Sequence, residues 1–353
     1  MKGRNLILEA LPDSTAEKIH LEGAFDRKKR GFAAFLICCA LLVAAFAVTA
    51  LWQKNGGQDW FGAENTEDAP RPPVVQPDNM QDGTLSEPSP SLPDGAIPII
   101  PMDLSYISYG KAYMNSEIDY SPDLDALLAR EVGSFADTSR PLVLILHTHT
   151  SESYLPQGST YIEGALGDLT YSRDAHSNVL AVGEALAQTL NEKGISTIHC
   201  RVIHDEKGLS GSYQRSEETV RHYLEQYPTI EYVIDLHRDS VIAKDGSVVR
   251  SEGTYGEESV AQVMAVVGSD RNGTSFESGW EGNLALALQL REGLNANGNT
   301  VARPISLRRS SFNQELAKYS LLLEIGTAAN SPEEAKRAAV LVGNVLAELI
   351  QAR

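Results

Sequence analysis

Cysteine is scarce in this 353-residue chain, which holds three. Cys38 and Cys39 fall inside an apolar run and Cys200 stands alone downstream, so there is no disulfide framework of the kind that staples small secreted domains. A domain of this size can build a core without one, so the shortage does not exclude an extracytoplasmic location. Cys200 ends an apparent core strand, a poor position for a nucleophile. Basic charge is also short, with 30 Lys and Arg against 47 Asp and Glu and a net charge of −17. Residues 1–52 hold 7 basic and 5 acidic side chains, so the acidic excess lies wholly beyond them. No nucleic acid is therefore expected as partner, because phosphate binding needs the opposite sign. There is no internal repeat. There is also no G-x-S-x-G elbow, which removes the main support for Ser151, His149 and Asp239 as a serine hydrolase triad.

Charge is absent altogether from residues 31–52, GFAAFLICCALLVAAFAVTALW. At ~1.5 Å rise per residue a helix of this length spans the ~30 Å hydrocarbon core of a bilayer. Arg27, Lys28, Lys29 and Arg30 precede it and no basic cluster follows Trp52. The positive-inside rule then makes residues 1–30 a cytoplasmic tail, 31–52 a transmembrane helix and the remainder extracytoplasmic, in a single-pass protein of the cell membrane. A cleaved signal peptide fits less well, because the run is long and begins some thirty residues in. Residues 53–104 are rich in Pro, Gly, Ser and Asp and lack periodicity, which reads as a disordered, Pro-rich stalk. Residues 105–353 carry the pattern of a globular, catalytic domain.

Within that domain the run from Pro141 to Leu146 is apolar throughout and rich in branched residues, the mark of a strand buried on both faces. Helices are expected after the cap at Ser121-Pro122-Asp123, over 177–193 ending at Gly194, over 214–227 and over 284–294. Further strands are expected at 195–203, 230–237, 260–267 and 319–325. The last helix is signposted by Ser331 as N-cap, Pro332 in the first turn and Glu334 completing a capping box. Strands alternating with helices predict an α/β fold with a mainly parallel central sheet and helices on both faces.

Three strand ends carry chemistry. The first reads His147-Thr148-His149-Thr150-Ser151-Glu152, the second Asp235-Leu236-His237-Arg238-Asp239, the third Glu324-Ile325-Gly326. In an open parallel sheet such carboxyl ends share the edge where ligands bind. Imidazole plus carboxylate is the usual donor set for catalytic zinc, which keeps one position open for water and brings its pKa to ~7. His147 and His237 are the expected nitrogen ligands. The third ligand is either Glu152, five residues beyond His147 and favoured, or His176 at the start of the 177–193 helix. His149 is assigned an orienting role beside a ligand. Glu324 ends a buried strand where an unpaired acid is costly, and is the expected general base. Arg238 is either paired with Asp239 or aimed at a substrate carbonyl. His199, His204 and His222 are read as structural or surface residues.

The run LHTHTSESY at 146–154, AVGEAL from 181, DLHRD at 235–239 and LLEIG at 322–326 closely resemble stage II sporulation protein P, as do Asn115-Ser116-Glu117 and Tyr120 to Leu124. The resemblance covers roughly 105–350 together with the order of anchor, stalk and domain. It implies a zinc amidase-like fold and a peptidoglycan hydrolase of sporulating bacteria, an N-acetylmuramoyl-L-alanine amidase with an additional endopeptidase activity. It further implies action in forespore engulfment, with stage II sporulation proteins D and M as partners. By the same resemblance His147 and His237 bind zinc and Glu324 is the catalytic acid/base. One departure stands out. Related amidases take a zinc ligand from a glutamate at the start of the helix after the first strand, where this chain reads Asp174-Ala175-His176-Ser177-Asn178. Two other readings of the residues remain: a zinc exopeptidase, with Arg308-Arg309 as a clamp for a substrate terminus, and a non-catalytic scaffold that binds wall.

Overall fold

The apolar run that ends at Leu146 lies inside a seven-stranded sheet. The structure, a computed structural model, describes residues 92–105, 114–118, 122–134, 136–269 and 279–352. The expected cytoplasmic tail, the transmembrane helix over 31–52 and the stalk as far as residue 91 lie outside the described residues. Among the described residues no helix is long and apolar enough to cross a membrane. In chain order the elements are β1 (Ile97–Met102), β2 (Met114–Ser116), α1 (Leu124–Leu128), β3 (Val143–Leu146), β4 (Tyr161–Ile162), α2 (Leu166–Leu169), α3 (Val179–Glu192), β5 (Thr197–His199), α4 (Ser212–Gln226), β6 (Tyr232–Asp239), β7 (Val248–Ser251), β8 (Gly253–Tyr255), β9 (Glu258–Val260), β10 (Val263–Gly268), α5 (Trp280–Leu294), β11 (Ile305–Arg308), β12 (Tyr319–Thr327) and α6 (Pro332–Gln351).

The main sheet has the order β2-β11-β10-β12-β6-β3-β5. All neighbours are parallel except β10 and β12, which are antiparallel. The sheet is therefore mixed. Its reversal follows from the route of the chain. A parallel neighbour needs a crossover that returns the chain to the starting edge. After β6 the chain makes β7, β8 and β9 instead, with no helix between, and so enters β10 from the edge where β6 ended.

Period-two alternation divides the strands between two unlike faces. Val143 and Ile145 of β3, Tyr232, Ile234 and Leu236 of β6, and Leu321, Leu323 and Ile325 of β12 pack with α3, α5 and α6 in the main core. Leu144, Leu146 and Val233 face the other way, against Val220 of α4. Asp235, His237 and Glu324 share the parity of Val233 and Leu322, so they emerge on the face that α4 covers. Glu324 lies beside His237 in the β12–β6 register, and a β-bulge follows at Gly326, whose φ of +73° glycine adopts without strain.

Local signals fix the helices. Asp123 caps α1 by accepting from Ala126 N, Asn178 caps α3 by accepting from Leu180 N, and the Ser331/Glu334 capping box opens α6 with Pro332 in its first turn. The domain begins earlier than residue 105. β1 pairs with β7 in parallel and with β4 antiparallel, and Ile99 and Leu104 are buried. Residues 97–104, expected in the stalk, are thus part of the fold, because Ile97, Ile99 and Ile100 supply an apolar strand that the surrounding prolines mask in the sequence.

Candidate metal centre at the strand ends

β3 stops at Leu146 and the chain turns at once. Thr150 Oγ1 donates to His147 O (2.8 Å), His204 Nδ1 meets the same carbonyl (2.7 Å), and Ser151 N and Oγ both donate to Asp205. Glu152 N then closes onto His149 O at 3.1 Å. This turn swings His149 and Glu152 back over the strand ends.

There they meet β6. His149 Nδ1 lies 3.2 Å from Glu152 Oε1, and His237 Nδ1 lies 3.2 Å from Glu152 Oε2. One donor atom from each of His149, Glu152 and His237 lies within 4.8 Å of the others, and all three residues are buried. His237 Nε2 is 3.0 Å from Asp235 Oδ1 but too bent to count as a hydrogen bond. Asp235 is itself held by Thr148, whose N and Oγ1 donate to its two oxygens at 2.8 and 2.6 Å. A histidine with one nitrogen towards a donor cluster and the other towards a carboxylate is the arrangement that orients metal ligands.

The electrostatics follow from this crowding. Burial works against charge on His237, but Asp235 and Glu152 beside it raise its pKa well above the ordinary imidazole value. Burial likewise opposes charge on Glu152, yet His237 and the contact with His149 hold it well below the usual carboxylate range. For Glu324 the nearby charges of His237 and Arg238 do not offset burial. The residue as a whole is only partly buried, but its Oε2 is sealed from solvent and makes no hydrogen bond. Burial first, and then the charge of Asp239, push its pKa up to about 8. The site therefore pairs two imidazoles and an ionised carboxylate with a neighbouring carboxyl poised to hold a proton. Two imidazoles and a carboxylate suit zinc, and leave one coordination position for a substrate or water.

The structure distributes the expected residues unevenly. Glu152, His237 and Glu324 come together. His147 does not join them. It keeps the parity of Val143 and Ile145 and points into the α3 face, where its Nδ1 meets Leu236 O at 2.8 Å and its Nε2 meets His199 Nε2 at 2.9 Å. Burial, with the His199 ring next, lowers its pKa to about 3. Gly183 of α3 makes room for this pair, since a Cβ there would sit 2.6 Å from His147 Nε2. His149 takes the place expected of His147, because the turn after Leu146 ends strand alternation. His176 is exposed and outside the cluster.

Arg238 is neither paired with Asp239 nor aimed at the cluster as a free cation. Its Nε donates to Ser153 O (3.1 Å) and its Nη2 to Thr170 O (2.8 Å), while Asp239 pairs with Arg303 at 2.7 Å. Arg308 and Arg309 both bind Glu117 beyond β2. Arg308 ends β11 and Arg309 follows it, and this strand runs opposite to β6 and β12, so both lie at the far edge and cannot clamp a substrate here. Sequence reasoning does not single out Asp235, although the spacing Asp235-x-His237 on one strand places both on one face.

A family model described as Stage II sporulation protein P (SpoIIP) matches residues 103–347. Stage II sporulation protein P of Bacillus subtilis (strain 168) is 31% identical over an alignment of 223 residues that covers 60% of this chain and 51% of that protein. The chain thus spans about half the length of that curated relative. Among solved structures, the N-acetylmuramyl-L-alanine amidase Ami1 of Mycobacterium abscessus is 17% identical with a TM-score of 0.36, covering 59% of this chain and 99% of that one. N-acetylmuramoyl-L-alanine amidase AmiC2 of Nostoc punctiforme is 14% identical with a TM-score of 0.34, covering 60% and 94%. Likenesses of that size carry no argument, and the chemistry rests on the residues.

Proposed function

Because this chain belongs to the stage II sporulation protein P family, we propose that it is a membrane-anchored cell-wall hydrolase of sporulation. More closely, it is a zinc-dependent N-acetylmuramoyl-L-alanine amidase acting on peptidoglycan. The observation that carries this reading is the meeting of His149, Glu152 and His237 beside the unpartnered Oε2 of Glu324. Those three residues would hold the ion, with Asp235 behind His237. A bound zinc supplies Lewis acidity towards the amide carbonyl and brings the pKa of water to ~7.

The rest is the work of the chain. Glu324 takes the proton of the attacking water and returns it to the amide nitrogen as the C–N bond breaks. Burial raises the proton affinity of this carboxyl, and a cation held beside it would bring that affinity back towards neutrality, where one group can both take and return a proton. Arg238 contributes by tying the backbone at Ser153, next to Glu152, to that at Thr170 on the opposed segment, not by touching substrate. Anchoring through residues 31–52, the endopeptidase activity and the partnership with stage II sporulation proteins D and M belong to the same proposal and rest on the sequence.

The test is mass spectrometry of fragments released from purified peptidoglycan by residues 92–353, with and without a zinc chelator. Free stem peptides beginning at L-alanine, lost on chelation and restored by zinc, are the expected result. Intact muropeptides under every condition would remove the amidase reading.

A further inference from the structure

Glu152 and Tyr171 face each other across a short antiparallel bridge. Ser153 N donates to Thr170 O at 2.9 Å and Ser172 N to Ser151 O at 2.8 Å, so the two bonds bracket the pair. That makes it a non-hydrogen-bonded pair, the kind in which opposed side chains stand closest and on one face. The Glu152 carboxylate points into the donor cluster, and Tyr171 is therefore placed beside it on the same face.

The ring is also held. The Cζ of Arg238 lies 5.0 Å from its centroid. The same guanidinium binds Ser153 O and Thr170 O, the residues next to each member of the pair. Yet Tyr171 is 42% exposed, while His149, Glu152 and His237 are 5%, 6% and 2% exposed. An exposed tyrosine alone means little. An exposed ring braced by a buried arginine and paired across the bridge with a buried metal-type ligand is different, because it stands at the surface directly beside that ligand. The same connection also exposes Tyr161 and Leu169 among polar side chains such as Gln157, Glu163 and Asp168.

Building on the amidase reading, we propose that Tyr171 is a substrate-contacting residue of this centre: its ring is the rigid wall against which a sugar–peptide amide packs on its way to Glu152 and His237. Large, rigid aromatic faces that need little ordering are favoured for such contacts.

The test is binding of a soluble muropeptide to the zinc-loaded protein, made in a Glu324→Gln background so that substrate is not consumed. Titration calorimetry gives affinity, and zinc content is measured on the same samples. Tyr171→Ala and Tyr171→Leu should each weaken binding about tenfold, and Tyr171→Phe less than about twofold, with zinc content unchanged in all three. Affinity indifferent to the Ala and Leu changes would overturn the inference, as would loss of zinc alongside affinity, which marks a purely structural brace for Glu152. Absence of binding by the Tyr171-containing parent would instead overturn the amidase reading on which the inference rests.

Discussion

Replacing Glu324 by glutamine in the metal-free domain tests the site without any substrate. The carboxyl titrates at about 8 in the fold against an ordinary value of 4.5. Below pH 4.5 it is protonated in both the folded and unfolded chain, and its contribution is fully present. As pH rises the unfolded chain releases the proton first, so stability drains away until the folded carboxyl also ionises near pH 8. A tenfold difference in proton affinity between the two states is worth ~1.4 kcal/mol, so the loss between pH 5 and pH 8 is on the order of 4 kcal/mol. That is a large part of the roughly 5–15 kcal/mol that holds a domain together. Glutamine resembles the protonated acid and has no such decline. Urea unfolding of both proteins in chelator should give similar stabilities at pH 5, with the glutamine variant increasingly the more stable towards pH 8. The difference reports Glu324 together with the neighbours whose charges it feels, Asp239, His237 and Glu152, because the remaining titrating groups are common to the two. Parallel stability curves across this window would show that Glu324 is not held as an acid, and that its sealed, unpartnered oxygen carries no penalty for charge. Zinc should shrink the difference, since a nearby cation favours the ionised carboxylate.

His149→Ala should weaken zinc binding by more than the roughly 10–100-fold that loss of an orienting partner costs, while His147→Ala should leave zinc content intact; a competition titration with a chromophoric chelator separates them. Gly183→Ala should destabilise the domain by about 1–3 kcal/mol in urea, although alanine is the better helix former, because its Cβ would meet His147 Nε2 at 2.6 Å and His199 Nε2 at 2.7 Å. A domain starting at residue 105 should be less stable than one starting at residue 92, since it loses β1 and the buried Ile99 and Leu104, each worth roughly 1.5–3 kcal/mol; equal melting temperatures would show that β1 is dispensable. Ser331→Ala should cost about 1 kcal/mol through the lost cap of α6, read from the same unfolding curves.

The elements legible in the sequence are those whose signals are local. The capping box at Ser331, the cap at Asp123 and the spacing of Val179, Val182, Leu186 and Leu190 each specify a helix without reference to anything distant, and α6, α1 and α3 form there. The elements that are not legible depend on partners far away in sequence. β1 exists because Ile99 and Ile100 pair with Val248 and Val249, and a stretch bounded by Pro93, Pro98 and Pro101 shows nothing of that by itself. The reversal of β10 is equally silent, since an apolar strand reads the same whichever way it runs.

The site shows the same division at the scale of single side chains. Asp235 and His237 share a face because they lie two apart on a continuous strand, and Glu324 joins them through the register of β12. His147 and His149 are also two apart, and the same rule assigns them one face. It fails there because alternation holds only while the strand lasts. The apolar run offers no polar residue from which to read which parity faces α3, and nothing before Thr150 announces that the strand has ended at Leu146. What decides the matter is a set of bonds from residues some fifty positions on, with His204 holding the His147 carbonyl and Asp205 holding Ser151. Breaking the Asp205 contact is therefore the perturbation that should make His147 and His149 compete. Asp205→Ala should reduce zinc affinity although Asp205 is absent from the donor cluster, and unchanged affinity would mean that the turn is held by its own geometry.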